Sequence, residues 1–261
     1  MKYYTGGHIG DTIYQLYSIM KAGGGTLYVG PHNHGAWGIQ HWMALLPLLK
    51  EQWYLYDVKI IGDINDKPTD LTYDFSKTWE HLRIAEHFES DGRDEGDVSL
   101  KKREYLNCFR ERTSFSHLLC SFSHHERWLY APSTKSVDIV IHAPKHKLTR
   151  SQQHFGDVVQ KLAKHGFKTV FIGSDDALEW SAYGEVVVTP DLLVAADYIN
   201  SARLFFGTAS CCYVIAEALG KLRFVDIFGG ARGTTPRDES GWETNSWSVD
   251  LIVERALMLL R

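Results

Sequence analysis

The sequence contains no run of about eighteen apolar residues, so it carries no expected membrane span. Its opening, MKYYTGG, lacks an apolar signal core, and nothing there points to secretion. Cysteine is scarce. Cys108, Cys120, Cys211 and Cys212 form no C-x-x-C pair, and adjacent cysteines rarely bridge each other, so a reduced, cytoplasmic setting is expected. Charge of one sign is also lacking. The net charge of -4 argues against indiscriminate coating of nucleic acid, though it leaves room for a local basic patch. Three catalytic frames are absent. Gly6-Gly7-x-x-Gly10 does not have the G-x-G-x-x-G dinucleotide spacing, no G-K-[ST] follows it, and Ser210 lacks the G-x-S-x-G setting of a hydrolase nucleophile.

What is present is a chain of 261 residues, 44% hydrophobic, enough for one large domain or two ordinary ones. Short β-like runs alternate with helical ones. Strands are expected at 2–5, 26–29 and 54–61, with helices at 11–22 and 37–50, the latter containing Pro47. Residues 63–76 are polar and turn-rich, 78–89 have helical spacing, 90–97 read as a loop, and 99–128 show no clear period. Pro132–Ser136 resembles a connector. The rhythm then restarts, with strands at 137–142, 168–172, 186–188, 203–206 and 224–228. Helices are expected at 151–165 (stopped by Gly166), 192–201, 209–219 (stopped by Gly220) and 249–260. Strands joined by helical crossovers pair in parallel, so the fold class is α/β with two Rossmann-like halves, 1–131 and 137–261, facing a cleft. Ligands of such sheets bind at the carboxyl ends of the strands.

Three strand-to-helix junctions have residues suited to chemistry. In Thr5-Gly6-Gly7-His8-Ile9-Gly10-Asp11 the glycines let a ligand approach the backbone. Asp11 is either a helix cap or a general base, and His8 either touches a ligand or is solvated. In LFFGTASCCYVIAEALGK, 204–221, small residues Thr208, Ala209 and Ser210 open a helix whose free amides and dipole suit an anion; a plain capped helix is the alternative. Glu217, two turns on, either reaches a ligand hydroxyl or is solvated. In IHAPKHKLTRSQQHF, 141–155, Lys145, His146, Lys147 and Arg150 follow a strand end; they suit a phosphate or belong to a solvated loop. Asp175 and Asp176 meet a ribose or merely end a strand, and Arg232 in GGARGTTP is a candidate anion contact on a loop. His32-x-His34 has no evident third ligand, so no metal site is expected.

Together these stretches resemble the heptosyltransferase-like glycosyltransferases of GT-B fold, and the compact form looks closer to family relatives found in bacteriophages. Gly10-Asp11-Thr12-Ile13 matches the segment opening the family's first helix, and ADYINSARLFFGTASCCYVIAEALGK, 196–221, looks like its late donor-binding segment. Thr208-Ala209-Ser210 stands where heptosyltransferases usually show an aspartate-threonine-glycine run followed by a histidine. The resemblance implies a metal-independent, inverting transfer of a sugar from a nucleoside-diphosphate donor to a hydroxyl acceptor. Residues 1–131 would serve the acceptor side and 137–261 the nucleotide sugar. Asp11 would be the base; Lys145, Arg150, Thr208, Ala209 and Ser210 would hold the diphosphate; Gly7, His8, Gly10, Glu217 and Arg232 would make other donor or acceptor contacts. No resident cofactor is implied, the nucleotide sugar being a co-substrate.

The acceptor is a glycan or a hydroxymethylated DNA base. Lys101, Lys102, Arg103, Arg110, Arg112 and Arg127, interleaved with Tyr105, Phe109, Phe115 and Trp128, either grip a nucleic acid or form a solvated helical face. A GT-B nucleotide-sugar 2-epimerase and a non-catalytic nucleotide- or sugar-binding protein are the other two readings.

Overall fold

The computed structural model describes residues 1–6, 9–31, 38–75, 126–144, 153–208, 210–226, 240–244 and 248–261. The expected helix at 78–89, the loop at 90–97 and most of the basic-aromatic stretch lie outside them. The chain divides into two compact units, Met1–Leu129 and Tyr130–Arg261.

The first unit is built on β1 (Lys2–Gly6), α1 (Ile9–Lys21), β2 (Gly25–Gly30), α2 (Ile39–Lys50), β3 (Leu55–Ile60) and the two-residue β4 (Tyr73–Asp74). All pairings are parallel, in the order β3-β2-β1-β4. Helix α2 runs through Pro47 without a break. Trp128 returns to this unit's core, only 3% exposed; its indole donates to the Ile13 carbonyl at 2.9 Å, and its own carbonyl accepts from the Tyr54 hydroxyl at 2.6 Å. That burial removes Trp128 from any base-stacking role.

The second unit is β5 (Ile139–His142), α3 (Gln153–Lys164), β6 (Thr169–Gly173), β7 (Glu185–Val188), α4 (Leu192–Ser201), β8 (Leu204–Thr208), α5 (Cys211–Ala218), β9 (Leu222–Asp226), β10 (Gly241–Thr244) and α6 (Val249–Leu260). Its parallel sheet has the order β10-β9-β8-β5-β6-β7. Strands β6 and β8 are buried at every residue, as expected of a sheet covered on both faces. Ile141, Phe155, Phe171, Trp180, Phe206 and Ile252 share its main core, with Phe171 stacked on Trp180 at 5.0 Å. Gly166 and Gly220 stop their helices at φ +88° and +67°, conformations in which a Cβ would be strained.

The connector is tied to α4. Asn200 donates its amide to the carbonyls of Ala131 and Pro132 at 2.8 and 3.0 Å, and Thr134 donates through its amide and hydroxyl to the two Asp197 oxygens at 2.7 and 2.6 Å.

Both sheets start the same way. The first three strands step outward on one side, and the chain then crosses to the other. This puts a switch point between β1 and β4 in the first unit and between β5 and β8 in the second, and such a point is where an open α/β sheet receives ligands.

Candidate functional site

In the second unit His142 ends β5 and faces Gly207 of β8 in register. A Cβ at Gly207 would lie 2.4 Å from the His142 carbonyl oxygen, so only glycine fits there. Two strands can thus close up where α5 is about to begin. Ser210 precedes α5 in extended geometry, with φ -153° and ψ 174°, the usual conformation of an N-cap residue. Its hydroxyl does not cap. It lies 2.9 Å from Nδ1 of the half-buried His142.

The neighbouring helices differ. Asp191 accepts from the Val194 amide at 2.9 Å to cap α4, and Ser248 accepts from the Leu251 amide at 3.4 Å to cap α6. The first turn of α5 therefore meets the switch point with no side-chain cap from Ser210. The positive end of a helix dipole suits an anion.

The opposite face of the same edge is polar too. Phe206 and Phe224 lie in the main core, and Thr208 and Asp226, two residues further on, keep to that face. Thr208 and Asp226 are partners in register. Asp226 Oδ2 lies 2.8 Å from His154 Nε2 on α3, and the buried Thr208 hydroxyl has no hydrogen-bond partner among the described residues. The residue pattern did not single out His154 or Asp226, and His142 figured only as a strand end. One signal would have found His142 and Asp226, though not His154: IVIH, LFFGT and LRFVD are buried strands that end in a polar side chain.

Glu217 is neither solvated nor at this edge. It is 4% exposed, and its Oε1 lies 3.7 Å from Nη2 of the fully buried Arg223. Arg223 pairs in register with Phe205, near the amino ends of the strands, so Glu217 belongs to the fold's interior. Asp176 accepts from the Ser174 hydroxyl at 2.7 Å in the turn after β6. Lys145, Arg150, Ala209 and Arg232 lie outside the described residues, as do Gly7, His8, His32, His34, His146 and Lys147.

In the first unit β1 ends at Gly6 and α1 begins at Ile9, earlier than expected. Gly10 and Asp11 are its second and third residues. Asp11 is thus inside the first turn and is not the N-cap, although a carboxylate there still complements the helix dipole. Nearby, the Tyr4 hydroxyl donates to the Pro31 carbonyl, and Lys67 pairs with Asp74 while its ammonium sits 4.7 Å from the Tyr4 ring centre. Burial first, and the Asp74 charge second, push the Tyr4 pKa far up and keep its hydroxyl neutral.

Among the described residues, no three His, Cys, Asp or Glu side chains gather as metal ligands would, and no helix is long and apolar enough to cross a membrane. Neither Cys211 nor Cys212 is in a disulfide.

A scan against protein-family models finds no match, and neither does a search of curated proteins. Solved structures do match over nearly the whole chain. A glycosyl transferase family 9 protein from Veillonella parvula aligns with a TM-score of 0.61 at 11% identity, covering 99% of this chain and 96% of that one. The fold is GT-B. E. coli ADP-heptose lps heptosyltransferase II matches at 0.59 and 11% identity, covering 99% and 98%. E. coli heptosyltransferase WaaC with ADP-2-deoxy-2-fluoro heptose matches at 0.57 and 10%, covering 98% and 97%. At these identities the likeness is one of fold, and it does not bear on a bacteriophage origin.

Proposed function

We propose that this GT-B chain is a metal-independent, inverting glycosyltransferase that uses a nucleoside-diphosphate sugar. The observation that supports this most is that the N-terminus of α5 stands at the switch point of the second unit, with the Ser210 hydroxyl turned to His142 and not to its own helix. It occurs in a fold shared with a protein solved with ADP-2-deoxy-2-fluoro heptose. On this reading the second unit takes the donor and the first unit the acceptor.

The Asp11 carboxylate removes the proton of an acceptor hydroxyl. The oxygen so freed attacks the anomeric carbon from the face opposite the leaving group. The bond from that carbon to the diphosphate oxygen breaks, its electron pair leaves with the diphosphate, and the configuration inverts. Backbone amides around Thr208, Ala209 and Ser210, together with Lys145 and Arg150, stabilise the charge that develops. Gly7, His8, Gly10 and Arg232 make other donor or acceptor contacts. Glu217 has no part, since its carboxylate is committed to Arg223. The reaction takes place in the cytoplasm, a setting compatible with the few cysteines of the sequence. The acceptor is a glycan or a hydroxymethylated DNA base.

The test is transfer by purified protein from a panel of nucleotide sugars, in chelator, to glycans and to hydroxymethylated DNA. Asp11→Asn is expected to lower turnover by about a hundredfold or more while leaving donor affinity unchanged. Full turnover in that variant would remove Asp11 as the base. Conversion of donor with no acceptor would point to an epimerase.

A further inference from the structure

A directed chain of side-chain hydrogen bonds joins β1 and α1 of the first unit. Thr5 is the fourth residue of β1, and Thr12 and Gln15 are the fourth and seventh of α1. All three are buried, Thr5 completely. Thr5 Oγ1 donates to Gln15 Oε1 at 2.5 Å and lies 3.1 Å from Thr12 Oγ1. A hydroxyl has one proton, and an amide oxygen only accepts. The Thr5 proton is therefore engaged by Gln15, and Thr12 must be the donor to Thr5. The order runs Thr12 to Thr5 to Gln15, linking the end of the strand to the first two turns of the helix.

That link bypasses the segment between β1 and α1. Gly6 ends β1 and Gly10 is the second residue of α1, so the backbone on both sides carries glycine's entropic cost, and a buried side-chain staple offsets it. Asp11 immediately precedes Thr12 on the helix so fixed.

We propose that Thr12, with Thr5 and Gln15, is a positioning residue for Asp11. The chain holds the first turn of α1 against β1, so the base meets the acceptor hydroxyl in one geometry. The inference rests on the reading of Asp11 given above. None of the three residues touches substrate. Their effect is on placement, where about 1 Å of error is enough to slow a reaction a hundredfold.

The test uses the full chain carrying Thr12→Val, which keeps the shape and removes the donated proton, and Thr12→Ser, which keeps the proton. Thr12→Val is expected to lower kcat about tenfold with the donor KM unchanged, and Thr12→Ser to restore most of it. Amide hydrogen exchange gives a reading that needs no substrate. It should rise in Thr12→Val across residues 12–15, whose amides bond the carbonyls of the first turn, and stay unchanged across 18–21. If Thr12→Val fails to fold, Gln15→Met, which leaves the Thr5 proton without its acceptor, should show the same pair of effects. A variant with unchanged kcat, or with unchanged exchange at 12–15, overturns the proposal. Loss of turnover in Asp11→Asn beside full turnover in Thr12→Val would sink the positioning role alone. Full turnover in both would sink the base as well.

Discussion

The two units begin with the same strand order but secure their switch points differently. In the first unit the junction after β1 is held by buried hydroxyls of Thr5 and Thr12, and the far side is closed by the two-residue strand β4. In the second, full strands stand on both sides. Gly207 lets backbones close up, while Ser210 turns from its own helix toward His142. A junction fixed by side chains can hold a catalytic group in one place. A junction fixed by backbone approach leaves the cap position of its helix, Ser210, free of the helix it precedes. The difference matches the separate tasks of base and anion site proposed for them.

The contrast can be broken by mutation, and the largest effect is expected away from both junctions. Glu217→Gln leaves the buried Arg223 guanidinium without its carboxylate and should cost about 3–5 kcal/mol in urea unfolding. A loss near zero would mean that the pair is not part of the fold's interior. Gly207→Ala forces a Cβ against the His142 carbonyl and should cost about 1–3 kcal/mol, by the same measurement. Asp191→Ala should cost about 1 kcal/mol by uncapping α4. Ser210→Ala removes no cap, so its loss should be smaller than that of Asp191→Ala. An equal loss with helix fraying at α5 would show that Ser210 does cap.

The smallest effect separates the units by pH. Burial alone would raise the Asp197 pKa, but the Thr134 hydroxyl and amide and the Lys135 ammonium outweigh it and hold the carboxyl below its ordinary value. A lowered folded pKa gives stability that is present above the unfolded value, about 3.9, and lost as pH falls through the folded one. Tyr3 behaves oppositely, pushed by burial up to about 12. Its contribution is present below the unfolded value, about 10, and lost as pH rises toward the folded one. Melting curves against pH should show Asp197→Asn flattening only the acid side and Tyr3→Phe only the alkaline side. A change on the wrong side would contradict the assignment.

Much of this fold was legible in the residues. Helices at 192–201 and 249–260 coincide end to end with Leu192–Ser201 and Val249–Leu260, because an apolar period and a capping Asp191 or Ser248 mark them locally. Strands β4 and β10 were missed, being short and rich in polar residues; they exist as strands through pairing with β1 and β9. The site was less legible. Ser210 stood out because small residues after an apolar strand are a local pattern. His142 is 68 positions away in sequence, and only the order β8-β5 brings it to Ser210. The role expected of Glu217 depended on helix spacing, which does not reveal that Arg223 of the next strand faces it.

The central claim is that the second unit holds a nucleoside diphosphate at the start of α5 without a metal. Calorimetric titration of the protein with UDP, ADP, GDP and CMP, chelator present, tests it most directly. One diphosphate should bind, and a Cys211→Pro change, which removes the amide of the first helical position, where proline is tolerated after the extended Ser210, should weaken it. Binding to none of the four, or binding indifferent to that change, would contradict the claim.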